Sequence, residues 1–156
     1  MQHTILWPTE LSESSRKALP QILSLAEKYG SSVVVLYVAP DLCSFFPAYG
    51  NHPSGELVEK FQDWELEKAK SDLEHICSEE LHSCRNVSTR LIRGDAASEI
   101  LKASREEGVD MIVMSSRGQS FDNVGKVGSG FGSVARKVAE ESPVPVLLVN
   151  PEHGVV

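Results

Sequence analysis

The stretch from Ser115 to Ser133 carries the residues best suited to hold an anion. Gly118, Gly125, Gly128, Gly130 and Gly132 place five glycines within 15 residues. Glycine lacks Cβ, so its backbone can come close to a charged oxygen and can take positive φ. The stretch leads straight into a helical pattern beginning at Ser133. Unpaired N–H groups at a helix N-terminus, with the dipole behind them, favour a phosphate. Ser133 can cap that helix or donate its hydroxyl to a phosphate oxygen. Arg117 can neutralise phosphate charge or be a solvated loop charge, and Lys126 reads as the latter. Composition alone fits a surface loop before a capped helix equally well.

Two known phosphate motifs are excluded. A Walker A loop requires glycine at 120 and Ser or Thr at 127, where the chain has Ser120 and Val127. A dinucleotide fingerprint requires Gly-x-Gly-x-x-Gly after the first strand. Gly128, Gly130 and Gly132 are spaced Gly-x-Gly-x-Gly and follow the fourth strand. Other constellations are weaker. His75, Cys77, His82 and Cys84 lie within ten residues, but donors two apart do not share a helix face and no Cys-x2-Cys spacing occurs. Plain thiols near a helix end are the expectation. No Gly-x-Ser-x-Gly elbow follows a strand, and no catalytic residue or metal-ligand set is assigned.

The elements that must position the glycine stretch are regular. Thr4–Trp7 reads as a strand ended by Pro8, and Ser12 to Tyr29 as a helix capped by Ser12 and closed by Gly30. Pro20 inside it predicts a kink or local irregularity. Ser32–Val38 is continuously apolar and β-branched, which suits a strand buried on both faces. Pro40 to Gly55 reads as a long loop with Phe45, Phe46 and Tyr49. Glu56 to Glu80 is an amphipathic helix whose stripe of Leu57, Phe61 and Trp64 is expected in the core. Val87–Ile92, the helix Ala97–Glu107, Val109–Met114, the helix Ser133–Glu141 and Val144–Val149 complete a βαβαβαβαβ order. That alternation predicts one doubly wound, five-stranded parallel sheet with helices on both faces, a Rossmann-like α/β fold. Ligands in such sheets bind beyond the carboxyl ends of the strands, where the winding reverses.

Bulk properties agree with one domain over residues 1–156. Fifteen basic against 22 acidic residues leave a net charge of −7, and the basic groupings are as short as Arg16-Lys17 and Arg136-Lys137. Such a surface repels nucleic acid and anionic lipid. No membrane span or signal peptide is read, so a cytoplasmic location is the default expectation. Three cysteines argue against a disulfide framework.

Nearly the whole chain resembles the universal stress protein family. That family carries Gly-x2-Gly-x9-Gly-[Ser/Thr] after its fourth strand, then a helix and a Pro-x-Pro-Val strand. Here Ser115 stands for the first glycine and Gly118 for the second. Gly128-Ser129 falls at the family spacing, while Gly132-Ser133 fits the distance to Pro143-Val144-Pro145-Val146 and is the preferred pair. Ile5 to Ser12, Gly94 to Ile100 and Val109 to Met114 are similar to other family segments.

The resemblance implies an adenine nucleotide alpha hydrolase-like fold binding ATP or AMP with Mg²⁺. Its site would draw on Pro8, Thr9 and Glu10, with Glu10 toward the ribose or a metal. Val38 would meet adenine through its backbone. Met114, Ser115 and Arg117 would follow from the fourth strand, and Gly118, Gly132 and Ser133 would surround the phosphates, with Val134 next to them and Gly128-Ser129 as the alternative pair. It also implies a homodimer paired through Val144–Val149, with any hydrolysis slow or incidental. The alternative is an interaction module of the same fold, without nucleotide, using the aromatic loop Pro40–Gly55.

Overall fold

The computed structural model describes residues 2–40, 55–117 and 131–152. Its strands are β1 (Thr4–Thr9), β2 (Ser32–Ala39), β3 (Val87–Arg93), β4 (Met111–Ser115) and β5 (Val146–Val149). They form one parallel sheet in the order β3-β2-β1-β4-β5. The helices are α1 (Glu13–Arg16), α2 (Leu19–Tyr29), α3 (Gly55–Glu79), α4 (Ala96–Glu106) and α5 (Ser133–Glu141). The doubly wound architecture expected from the alternation is the one observed. The aromatic loop residues Phe45, Phe46 and Tyr49 lie outside the described residues.

Alternation along the strands sorts the core into two layers. Ile5, Trp7, Val33, Val35, Tyr37 and Val113 face one side, packed by Leu19 and Ile22 of α2 and Leu73 and Ile76 of α3. Leu6, Val34, Leu36, Ile112 and Met114 face the other, packed by Ile100 and Leu101 of α4 and Ala135 and Val138 of α5. Burial on both faces explains why β2 reads as an unbroken apolar run.

Pro20 does more than kink a helix. The segment divides into α1 and α2, and Pro20 occupies the first turn of α2. A proline there lacks only an N–H that would have had no partner. Ser12 caps α1 by accepting from Ser15 N–H at 3.1 Å. Gly30 closes α2 at φ 62°, the left-handed conformation that glycine adopts without strain. Pro8 also departs from expectation, since β1 runs through it to Thr9. Pairing of β1 with β4 is confined to Ile5 and Leu6. Pro8 therefore lies past that ladder, where a missing N–H toward β4 costs nothing.

The stripe Leu57, Phe61 and Trp64 is not core. These side chains are 61%, 52% and 58% exposed, and Lys68 Nζ stands 5.7 Å from the Trp64 ring centre. The buried stripe of α3 is Val58, Gln62, Ala69, Leu73 and Ile76. Gln62 belongs inside because its Nε2 donates to the Pro40 carbonyl at 3.1 Å.

Asp95 holds the start of α4. Its carboxylate accepts from Ser98 Oγ at 2.8 Å and Ser98 N–H at 3.1 Å. The side-chain bond, then the backbone bond, hold its pKa below the ordinary carboxylate value. Asp95→Ala is expected to cost about 1 kcal/mol by denaturant titration at neutral pH. A depressed carboxyl stabilises above its unfolded pKa and loses that contribution as pH falls through the lower folded value. The difference between wild type and variant should therefore shrink in that acidic window.

Candidate functional site

The site begins where the two central strands part. β1 stays registered with β2 as far as Thr9 opposite Tyr37. β4 stays registered with β5 as far as Ser115 opposite Val149. Between β1 and β4, pairing stops at Leu6 opposite Ile112. Chains leaving β1 and β4 then run to opposite faces, the crossover crevice of an open α/β sheet. A cleft of about 210 Å³ lies there.

Its walls bring together the sequence-predicted residues that are described. Pro8, Thr9 and Glu10 come from the end of β1, and Val38 from the end of β2. Met114, Ser115 and Arg117 come from β4 and the turn after it. Gly132, Ser133 and Val134 come from the mouth of α5. Gly118, Gly128, Ser129 and Lys126 lie outside the described residues.

Hydroxyls make one wall. Thr9 Oγ1 and Ser15 Oγ share a buried hydrogen bond of 2.9 Å, and Leu11 N–H donates to Thr9 Oγ1 at 3.0 Å. This bonding accompanies Leu11 at φ 62°, an uncommon conformation for a residue with a side chain. Ser115 Oγ donates to the Arg117 carbonyl at 2.6 Å, turning the chain sharply after β4. The apolar wall is Leu36, Val38, Ile100 and Met114.

The mouth of α5 supplies donors. Gly132 is the N-cap residue and brings no side chain to cap the helix. Ser133 is thus the first helical residue rather than the cap. Gly132 N–H donates to the Ser116 carbonyl at 2.8 Å, locking the helix start against the end of β4. The N–H groups of Ser133, Val134 and Ala135 have no intrahelical carbonyl within reach, because the ladder begins with Arg136 N–H to Gly132.

Glu10 and Arg117 carry the charges among the described lining residues. Arg117 Nη1 lies 3.9 Å from Glu152 Oε2 beyond β5. Burial pushes the Tyr37 phenol upward, and the carboxylates of Glu65, Glu10 and Asp72 add to that shift. Tyr37 therefore stays neutral at the end of β2.

Several lining residues escaped the sequence reading: Ser15, Leu36, Ala96, Ile100, Ser116 and Ala135. Ser15 carried a weak signal, three residues after the cap Ser12. Ile100 carried one as the first large apolar residue of α4. Away from the cleft, Cys77 and Cys84 are free, half-buried and pushed up by burial. No group of metal-ligating side chains occurs among the described residues, and no described helix is long and apolar enough to cross a membrane.

Residues 1–150 match the family model described as "Universal stress protein family". The chain belongs to that family. A universal stress protein of Methanocaldococcus jannaschii, MJ0577, is 30% identical over 166 residues, covering 99% of this chain and 98% of the relative. One from Thermus aquaticus is 31% identical over 151 residues, covering 96% and 100%. The solved MJ0577 structure superposes with a TM-score of 0.80 at 28% identity, over 96% of each chain. Two further solved universal stress proteins share the fold at 17% and 18% identity, with TM-scores of 0.56 and 0.58. The first is a complex with cAMP, and the second, from Archaeoglobus fulgidus, a complex with dAMP.

Proposed function

We propose that this universal stress protein binds an adenine nucleotide, ATP or AMP, in the crossover cleft and acts as a regulatory dimer in the cytoplasm. The observation that carries the reading is the mouth of α5, open to the cleft and capped by a residue without a side chain. Phosphates would take the N–H groups of Ser133 and Val134 with the Ser133 hydroxyl, and Arg117 would offset their charge. The base would lie against Val38, Ile100 and Met114. Two solved proteins of the same fold hold adenine nucleotides.

Mg²⁺ fits the donor chemistry present. The ion usually takes one or two carboxylates, with substrate phosphates and waters completing its shell. Glu10 is the carboxylate in place. When bound, the ion would neutralise phosphate charge beside that carboxylate. The described residues of the cleft bind and orient, with none among them positioned as a base, and in this reading the nucleotide serves as a state signal. β5 lies at the sheet edge with backbone groups open to a strand of a second copy.

Titration calorimetry with ATP and Mg²⁺ tests the reading. Saturable one-to-one binding is expected, in the micromolar range or tighter, and absence of heat and of any shift in melting temperature would overturn it. The exposed α3 stripe of Leu57, Phe61 and Trp64 favours a second reading, an interaction module without nucleotide. That reading gains if the intact protein fails the calorimetric test.

A further inference from the structure

The cleft and the end of the edge strand share one guanidinium. Arg117 lines the cleft, and its side chain is only 16% exposed. Its Nη1 is 3.9 Å from Glu152 Oε2, an ion-pair distance longer than a hydrogen bond. Glu152 is held in place by the fold. Ser116 N–H donates to the Val149 carbonyl at 2.9 Å, tying the turn after β4 to the end of β5. Pro151 is buried, and Glu152 N–H donates to Asn150 Oδ1 at 3.0 Å.

We propose that Glu152 is a built-in competitor for the phosphate, and that transfer of Arg117 from Glu152 to the ligand reports occupancy to the turn after β5. The inference rests on the nucleotide reading above. In the structure the carboxylate faces the guanidinium at ion-pair distance. A phosphate brings more charge and more acceptor oxygens than a carboxylate, so it draws Arg117 toward itself. Glu152 then loses its partner, and the ion pair that joins the turn after β5 to the cleft is released. Ligand binding thereby reaches the sheet edge through two side chains, without movement of the core.

The test is a double-mutant cycle on ATP affinity with Mg²⁺, using wild type, Glu152→Gln, Arg117→Gln and the double variant. Glu152→Gln keeps size and polarity at a side chain more than a third exposed, so the fold is retained. It is expected to tighten binding about fivefold at low salt, an effect that fades at high salt. Arg117→Gln is expected to weaken binding about tenfold. The double variant should match Arg117→Gln, because the carboxylate then has no guanidinium to compete for. Amide exchange at Glu152 should also quicken when ATP is added to wild type and not to Arg117→Gln.

Unchanged affinity in Glu152→Gln would overturn the proposal and leave the nucleotide reading standing. A gain that persists in the Arg117→Gln background would overturn it too, as it would reflect direct repulsion of the ligand. A wild-type protein that binds no ATP would remove the nucleotide reading and this inference with it.

Discussion

Gly132→Val is expected to weaken ATP binding by about thirty- to a hundred-and-sixtyfold while leaving a folded protein. Gly132 has φ −62° and ψ 156°, an extended conformation open to any residue, so valine meets no backbone strain there. The N–H of Gly132 is fixed to the Ser116 carbonyl at 2.8 Å. With the backbone so fixed, the added isopropyl group is expected to crowd the donors of Ser133 and Val134. Losing one strong hydrogen bond to a charged oxygen costs about 2–3 kcal/mol, which gives the stated factor. A valine N-cap is poorer than glycine by about 1 kcal/mol, so a melting curve must accompany the calorimetry. Equal affinity in the variant would mean that no anion sits at the mouth of α5.

Trp7→Ala is expected to remove about 4 kcal/mol of stability, the largest loss foreseen for a single substitution. Trp7 is fully buried at the centre of β1, among Ile22, Val35 and Leu73. Its indole Nε1 is buried with no hydrogen-bond partner among the described residues. That unpaired donor carries a desolvation cost of about 1–3 kcal/mol. Trp7→Phe keeps one ring, leaves a smaller cavity and relieves the donor, so its loss should stay under about 1.5 kcal/mol. Urea titrations of both variants decide the matter. A Trp7→Phe loss as large as that of Trp7→Ala would show that the indole N–H is stabilised where it lies.

The sequence made the architecture legible because its local signals agree. β-branched runs, the cap at Ser12 and the glycine after Tyr29 all point to one alternating pattern, and that pattern places the crevice. The particular residues at the ends of β1, β2 and β4 came from the family resemblance rather than from that pattern, and they line one cleft. The parting of β1 from β4 was not readable, because it depends on where a ladder stops.

The stripe on α3 misled for a different reason. Leu57, Phe61 and Trp64 are larger and more apolar than Val58, Gln62 and Ala69, so ranking by hydrophobicity selects the wrong face. The true face is marked by a polar residue whose partner, the Pro40 carbonyl, is distant in sequence. Likewise, nothing local connects Arg117 with Glu152. Only the pairing of β4 with β5 brings their turns together.

The two-layered core has a consequence for how such a protein can change. The apolar wall of the cleft (Leu36, Val38, Ile100 and Met114) belongs to the layer under α4 and α5. Trp7 and the contacts of α2 and α3 belong to the opposite layer. The sheet acts as a partition between a chamber concerned with recognition and one concerned with robustness. Sequence drift behind the partition can trade heat tolerance up or down while the chemistry in front of it stays as it was.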